Sequence, residues 1–282
     1  MKTMAVHLHL YYTEQLTEIL SYLQNLKDIT YDLYVSLTQE NEEIRQQILD
    51  FNPKTKIFIT ANRGYDIGSF IDFLHHIDLN AYKYILKLHT KGKKSKNYTH
   101  LNNLRFDNAL WGKVLWDGLM SSPERVQKNI ELLQQKEVGM IGSKYCLTDH
   151  PRDYQNLLPF INHELTKMHL KEVEKVSFIA GSMFMIKSDL LEPFLRYRLE
   201  DFSLTDGTIK EGTLAHIMER LFGTVVIIKG YKICGTYGIM RWYPRLVELK
   251  ISLLRFLYQK KITKSGKLLI KICKLPIYSK EI

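Results

Sequence analysis

Between Ala5 and Leu88 short apolar runs alternate with helix-like stretches, and that alternation restricts what the chain can fold into more than any other feature. Ala5-Val6-His7-Leu8-His9-Leu10-Tyr11-Tyr12 reads as a strand, and Thr13 opens a helix over 14–26 with Leu16, Ile19, Leu20 and Leu23 on its apolar face. Residues 31–37 predict a second strand and 40–49 a second helix, which Pro53 breaks. Lys56-Ile57-Phe58-Ile59-Thr60 predicts a third strand, and Ile67, Phe70, Ile71 and Leu74 follow at helical spacing. Residues 84–88 form the fourth strand. Strands separated by helices must return through crossovers, so the expectation is an α/β chain with a mostly parallel central sheet.

The rest of the chain is less regular. Residues 97–135 predict helices, 138–142 a strand, and 149–175 a surface helix or lid. The run 178–186 reads as a strand interrupted at Gly181-Ser182, where another group can approach closely. Helices are expected at 188–196 and 211–222, and a late strand at 225–228. With 282 residues, 45% hydrophobic and 25% charged, the composition is that of an ordinary globular domain. No apolar run reaches the roughly 18 residues of a membrane span, and Met1-Lys2-Thr3-Met4 lacks the apolar core of a secretory signal, so an intracellular protein is expected. Cys146, Cys234 and Cys273 have no metal-ligand spacing and read as reduced, buried thiols.

A formal net charge of +10 points to an anionic partner. Much of it lies in the tail, where Lys250, Arg255, Lys260, Lys261, Lys264, Lys267, Lys271, Lys274 and Lys280 stand among Ile251, Leu253, Leu254, Phe256, Leu257, Leu268, Leu269, Ile270 and Ile272. That pattern suits interfacial helices on an anionic membrane surface; the alternative is a terminal helix pair docked on the domain. Nucleic acid is disfavoured, because the lysines lack the interleaved aromatic platform of strand binding.

Three clusters can carry chemistry. Asn62-Arg63-Gly64-Tyr65-Asp66 sits where a strand hands over to a helix, and in open α/β sheets ligands bind at the carboxyl ends of strands. Its plain reading is a turn with Gly64 at positive φ and Asp66 as helix cap. His89-Thr90-Lys91-Gly92-Lys93-Lys94 leaves a buried strand as a group of cations fit to neutralise phosphate oxygens, or as a solvated basic turn. Neither a Walker phosphate loop nor the dinucleotide glycine fingerprint occurs. The third cluster spans 201–220: Glu211 is placed to act as a general base, and His216 and Arg220 to orient a reacting group; Glu219-Arg220 also reads as a structural ion pair.

Asn62-Arg63-Gly64-Tyr65-Asp66-Ile67-Gly68, Leu86-Lys87-Leu88-His89-Thr90-Lys91, Ala180-Gly181-Ser182-Met183-Phe184 and Glu211-Gly212-Thr213 through Leu221 together resemble the rhamnan synthesis F family of polysaccharide glycosyltransferases, in order and up to about Tyr243. The resemblance implies one GT-A-like, Rossmann-like domain over 1–243, with 244–282 as a basic amphipathic helical tail. It also implies inverting transfer of a sugar, typically rhamnose, from a nucleotide diphosphate donor (dTDP-rhamnose or a UDP-sugar) to a lipid-linked cell-wall or surface polysaccharide at the cytoplasmic membrane face.

By that analogy His9, Tyr11, Asn62, Arg63, Gly64 and Asp66 face the nucleotide, and His89-Thr90-Lys91 stands where such transferases usually carry an Asp-x-Asp metal motif. A histidine and a lysine can stabilise the diphosphate leaving group directly, so no cofactor is expected, although Asp66 leaves a single-carboxylate Mg or Mn site open. The Gly181-Ser182 break would admit donor sugar or acceptor. The base is Glu211 or, because relatives carry Asp-Gly-Thr and Asp206-Gly207-Thr208 lies just upstream, Asp206. A non-catalytic sugar- or partner-binding component of a polysaccharide assembly complex is the alternative function.

Overall fold

The computed structural model describes residues 2–92, 99–205, 212–239, 241–262, 267–273 and 275–281. Each early apolar run pairs with an amphipathic helix that returns the chain over the sheet: β1 (Lys2–His9), α1 (Leu16–Leu23), β2 (Tyr31–Leu37), α2 (Glu42–Phe51), β3 (Lys56–Ile59), α3 (Tyr65–Leu74) and β4 (Tyr82–His89). Then come a hairpin of β5 (Thr99–Leu101) and β6 (Leu104–Phe106), the helices α4 (Asn108–Met120) and α5 (Pro123–Gln134), and β7 (Val138–Ser143). Next, β8 (Leu147–Thr148) and β9 (Phe178–Ile179) pair with each other around α6 (Leu158–Lys167). The chain continues through β10 (Phe184–Lys187), α7 (Leu214–Ile228), β11 (Lys232–Thr236) and α8 (Tyr243–Leu257) to β12 (Tyr258–Ile262), β13 (Lys267–Ile272) and β14 (Leu275–Glu281).

The central sheet has the order β11-β7-β10-β4-β1-β2-β3. Only β10 runs against its neighbours, so six strands present their carboxyl ends along one edge. The expected mostly parallel α/β architecture is thus the one found. Helix starts are fixed by side chains that satisfy otherwise orphaned N–H groups: Asn41 accepts from Ile44 N (3.0 Å), Asp107 from Leu110 N (2.7 Å) and Ser122 from Arg125 N (3.2 Å).

Between α3, α7 and the sheet lies an aromatic cluster. Phe222 packs on Phe194, Phe184 and Phe70 at centroid separations of 4.6, 5.3 and 5.5 Å. Phe222 and Phe70 are essentially fully buried, so truncating either to Ala is expected to cost about 3–5 kcal/mol. This core fixes α3, and with it Asp66, against the sheet.

The structure departs from the sequence reading in four places. A β-hairpin precedes the helices of 97–135. Val225–Ile228 is not a strand but the last turn of α7, which is buried almost all round; its β-branched residues pack in a core helix as well as in a sheet. Gly230, at φ 86°, ends it, with Tyr231 N donating to Val226 O (3.0 Å), and the strand comes afterwards as β11. The tail is helical only as far as Leu257. Beyond it β12, β13 and β14 form a separate antiparallel sheet. Finally, of the three free cysteines only Cys146 is buried, where burial pushes its thiol up to about 12; Cys234 is half-buried and Cys273 exposed. Among the described residues no helix is long and apolar enough to cross a membrane.

Candidate active site

Strand register assembles the site. His9 lies opposite His89 on one side and Ser36 on the other, while His7 lies opposite Lys87. Because side chains alternate along a strand, His7, His9, Lys87 and His89 share one sheet face, the face covered by α3. There Asp66, in the first turn of α3, meets them: Lys87 Nζ donates to Asp66 Oδ2 at 2.5 Å, Ser182 Oγ donates to the same oxygen at 2.5 Å, and His89 Nδ1 lies 3.4 Å away. Lys87 is fully buried, and Ser182 Oγ is also within 3.2 Å of its ammonium.

Burial works against ionisation of Asp66, but its neighbours His89, Lys87 and Lys91 outweigh burial and hold the carboxyl well below the usual range. Burial lowers Lys87 as well, and the Asp66 carboxylate opposes that lowering. The cation nearest Asp66 is the Lys87 ammonium; burial drives His89 well below 6.5, so its ring is charged only in the acid range where Asp66 itself titrates. His9 is likewise lowered by burial, to about 4. His7 is held well below 6.5 by burial, with its ring stacked on Phe73 at 4.6 Å. Behind the ion pair, Ser36 Oγ joins His7 Nε2 (2.9 Å), His9 Nδ1 (3.0 Å) and Ser69 Oγ (2.7 Å), which locks both imidazoles in place.

This cluster forms the floor of a cleft of about 560 Å³. Seven of the residues singled out in the sequence line it: His9, Tyr11, Asn62, Asp66, His89, Thr90 and Lys91. Tyr12, Tyr65, Gly92 and Thr205 complete the wall. One side is held by Thr90, whose Oγ1 accepts from Tyr12 N (2.9 Å), and by Gln15, whose amide brackets the Lys91 backbone. Lys91 Nζ lies 3.9 Å above the Trp111 ring, which positions the cation at the mouth. The other side is a strap from the segment before α7: Asn62 and Thr205 exchange backbone and side-chain hydrogen bonds of 2.9 Å, and Thr205 Oγ1 accepts from Tyr65 N (3.1 Å). Tyr65 is held at φ 56°, an unfavourable conformation for a bulky residue and a sign of a constrained site.

Other sequence candidates lie elsewhere. Asp66 is not the helix cap; the N-cap is Gly64 at φ 61°, and the carboxylate turns inward to Lys87. A Cβ on Gly64 would meet the Phe202 ring at 2.5 Å, so this glycine serves packing, and Arg63 Nη1 donates to Phe202 O (2.9 Å) instead of facing the cleft. The Gly181-Ser182 break is not open space: Leu115 and Trp111 fill the position a Gly181 side chain would take, at 2.7 and 3.0 Å. Arg220 is buried over Phe178, donates to the carbonyls of Asp153 and His216, and pairs with Glu219 at 2.6 Å. Glu219 in turn accepts from Gly181 N (2.6 Å). That pair is structural. His216 shares a hydrogen bond with Thr213 Oγ1 (2.8 Å) and packs edge-on to Tyr65, at the rim. Asp206 and Glu211 lie outside the described residues, between cleft-lining Thr205 and the start of α7, as do Lys93 and Lys94.

Lys87 and His7 were not singled out for the site, and Tyr12 and Tyr65 only as members of the runs from His9 to Tyr12 and from Asn62 to Asp66. A period-two signal existed, since His7 and His9, like Lys87 and His89, are two apart in otherwise apolar strands. Among the described residues, His, Cys, Asp and Glu side chains form no group of three suited to a metal ion. Asp66, the carboxylate on the cleft floor, is already engaged by an ammonium and a hydroxyl, a donor set that does not fit a divalent cation.

The molecule is therefore an α/β protein with a cationic, aromatic-walled cleft at the carboxyl edge of its parallel sheet. It belongs to the family described as Rhamnan synthesis protein F, whose model matches residues 1–231. Among curated relatives, an uncharacterized protein, WxcX, from two strains of Xanthomonas campestris pv. campestris is 29% identical over 185 residues, covering 61% of this chain and 24% of the relative. The chain thus spans about a quarter of that protein's length. Solved structures overlay weakly: residues 1–349 of S. aureus TarS at TM-score 0.43 and 9% identity, covering 90% of this chain and 65% of that one, and the galactosyltransferase LgtC with donor and acceptor sugar analogues at 0.38 and 10%, covering 82% and 73%. At those scores nothing about this chain's chemistry follows from them.

Proposed function

We propose that the protein is a glycosyltransferase that moves a sugar, rhamnose in keeping with its family, from a nucleotide diphosphate donor to a lipid-linked polysaccharide acceptor with inversion. The observation that carries this reading is the cleft itself. Tyr11, Tyr12 and Tyr65 offer ring faces for a base or sugar, while Lys91 provides a cation for the diphosphate beside an otherwise neutral histidine pair. In the transfer step the acceptor hydroxyl oxygen bonds to the anomeric carbon, the bond from that carbon to the diphosphate oxygen breaks with its electron pair, and the hydroxyl proton passes to Glu211 or Asp206. Lys91 stabilises the charge developing on the departing diphosphate. Because Asp66 is neutralised by Lys87, the reaction is read as independent of Mg or Mn.

Titration calorimetry with a panel of nucleotide sugars, dTDP-rhamnose and UDP-sugars included, tests the reading; absence of binding at millimolar concentration would end it. Transfer undiminished by EDTA is the expected result, and its loss would return a metal to the mechanism. Glu211→Gln should keep donor binding and abolish transfer, whereas undiminished transfer assigns the base to Asp206.

An anionic membrane surface as partner is supported by α8. Pro244, Val247, Glu248 and Ile251 turn inward, while Trp242, Leu246, Leu249 and Leu253, three or four apart, form a stripe that is each more than half exposed, flanked by Arg245 and Lys250. Leu249→Glu with Leu253→Glu should release the protein from phosphatidylglycerol liposomes; unchanged co-sedimentation would remove the membrane from the proposal.

A further inference from the structure

The carboxyl edge of the sheet carries a second cavity. Since β7 and β11 run parallel to β4, Ser143-Lys144 and Thr236-Tyr237 leave the sheet on the same edge as His89-Thr90-Lys91, with only β10 between β7 and β4. There a cavity of about 430 Å³ opens, with Lys144, Tyr145, Tyr237 and Arg245 in its wall. Its size is in the range of small-ligand pockets.

The cavity is firmly built. Asn102, on the β5–β6 turn, donates to the carbonyls of Tyr145 (3.0 Å) and Leu147 (2.9 Å), which fixes the loop after β7. Tyr145 and Tyr237 meet edge to face at 5.1 Å, and Tyr145 is buried. Arg245 is delivered by α8, which is tied to β6 through Arg105 and Glu248: Arg105 Nε donates to Glu248 Oε2 at 2.9 Å and Arg105 Nη2 to Ser252 Oγ at 3.0 Å. Neither Lys144 nor Arg245 forms an ion pair among the described residues, and both are exposed. Lys144 and Arg245, the latter with its guanidinium 5.7 Å from the centroid of the Trp242 ring, thus face one acid, Asp149, across a wall that includes paired tyrosine rings.

Two cations beside aromatic rings suit a ligand with both an anionic oxygen group and the C–H face of a sugar ring. We propose that this second cavity binds a phosphorylated saccharide, with Lys144 and Arg245 on the phosphate and Tyr145 and Tyr237 against the sugar. Its role as the seat of the acceptor's phosphate-bearing end rests on the transferase reading; the binding itself does not. The exposed stripe of α8 adjoins Arg245 on the same helix, which places this cavity where a lipid-carried sugar phosphate would present itself.

The test titrates the whole 282-residue chain with glucose 1-phosphate, glucose and inorganic phosphate, following binding by ligand-observed NMR. Glucose 1-phosphate should bind tighter than either fragment. Lys144→Glu with Arg245→Glu should weaken it at least about tenfold, roughly 1.4 kcal/mol, and Lys144→Arg with Arg245→Lys should restore it, while Lys91→Ala leaves it unchanged. Because the substituted side chains are exposed, unchanged thermal unfolding is expected. Equal binding of phosphate and glucose 1-phosphate, binding that survives the double reversal, or binding lost on Lys91→Ala would each overturn the proposal. Nucleotide-sugar binding, measured in parallel, separates its failure from that of the transferase reading: the double reversal should leave that binding intact.

Discussion

The cluster around Asp66 and the cluster around Arg220 are made of the same residue types, a carboxylate, a cation and a histidine, and both occupy conspicuous motifs. They differ in where their hydrogen-bonding capacity goes. Arg220 spends its guanidinium on the carbonyls of Asp153 and His216 and on Glu219, whose other oxygen holds Gly181 N, so the group stitches α7 to the loops beneath it. Asp66 instead meets side chains, Lys87, Ser182 and His89, on the floor of the cleft, and keeps 19% of its side-chain surface open to it. Charged residues satisfied by backbone carbonyls build the scaffold; those satisfied by one another on a cleft floor set its electrostatics.

The largest effect that distinguishes the two is expected at Lys87. Lys87→Met leaves the Asp66 carboxylate without its cation and should cost about 3–5 kcal/mol in urea unfolding, most of it recovered by adding Asp66→Asn. Near-native stability of the single variant would show that the pair is not a buried ion pair. Arg220→Ala should cost about 2–3 kcal/mol, the loss of charge-assisted hydrogen bonds, while nucleotide-sugar affinity stays within about twofold. A selective loss of affinity at native stability would instead bring Arg220 into the cleft.

A pH series sharpens the contrast. His9 is neutral in the fold, with its pKa lowered from 6.5 to about 4, so below 6.5 the unfolded chain binds the extra proton. Stability present above pH 6.5 is therefore lost as pH falls towards 4, by up to about 1.4 kcal/mol per pH unit for this histidine. Asp66, lowered from the usual carboxylate range, adds a further loss only below about pH 4. His7 and His89, also lowered well below 6.5 by burial, act in the same direction; His9→Gln should reduce the slope between pH 6.5 and 4, and an unchanged slope would assign it to those two histidines. The smallest effect on folding is expected at Lys91: Lys91→Ala should weaken diphosphate-donor binding about tenfold, roughly 1.4 kcal/mol, with thermal unfolding little changed. Equal affinity would move the phosphate contact away from the Trp111-braced cation.

Much of this was legible in the residues. The alternation from Ala5 to Leu88 determined the parallel sheet, because a strand followed by an amphipathic helix has few other ways to bury both apolar faces. The strand ends at His9, Asn62 and His89 marked the cleft, since parallel strands deliver their carboxyl ends to one edge. What the sequence could not determine was which polar groups satisfy one another across long separations. Asp66 reads as a helix cap until β4 brings Lys87 beneath it, and Gly181 reads as a gap until Trp111 and Leu115 fill it. Val225–Ile228 reads as a strand until α7 is seen buried on nearly every side. Local pattern encodes the elements because their periodicities differ; partners brought together from distant segments are decided only by tertiary packing.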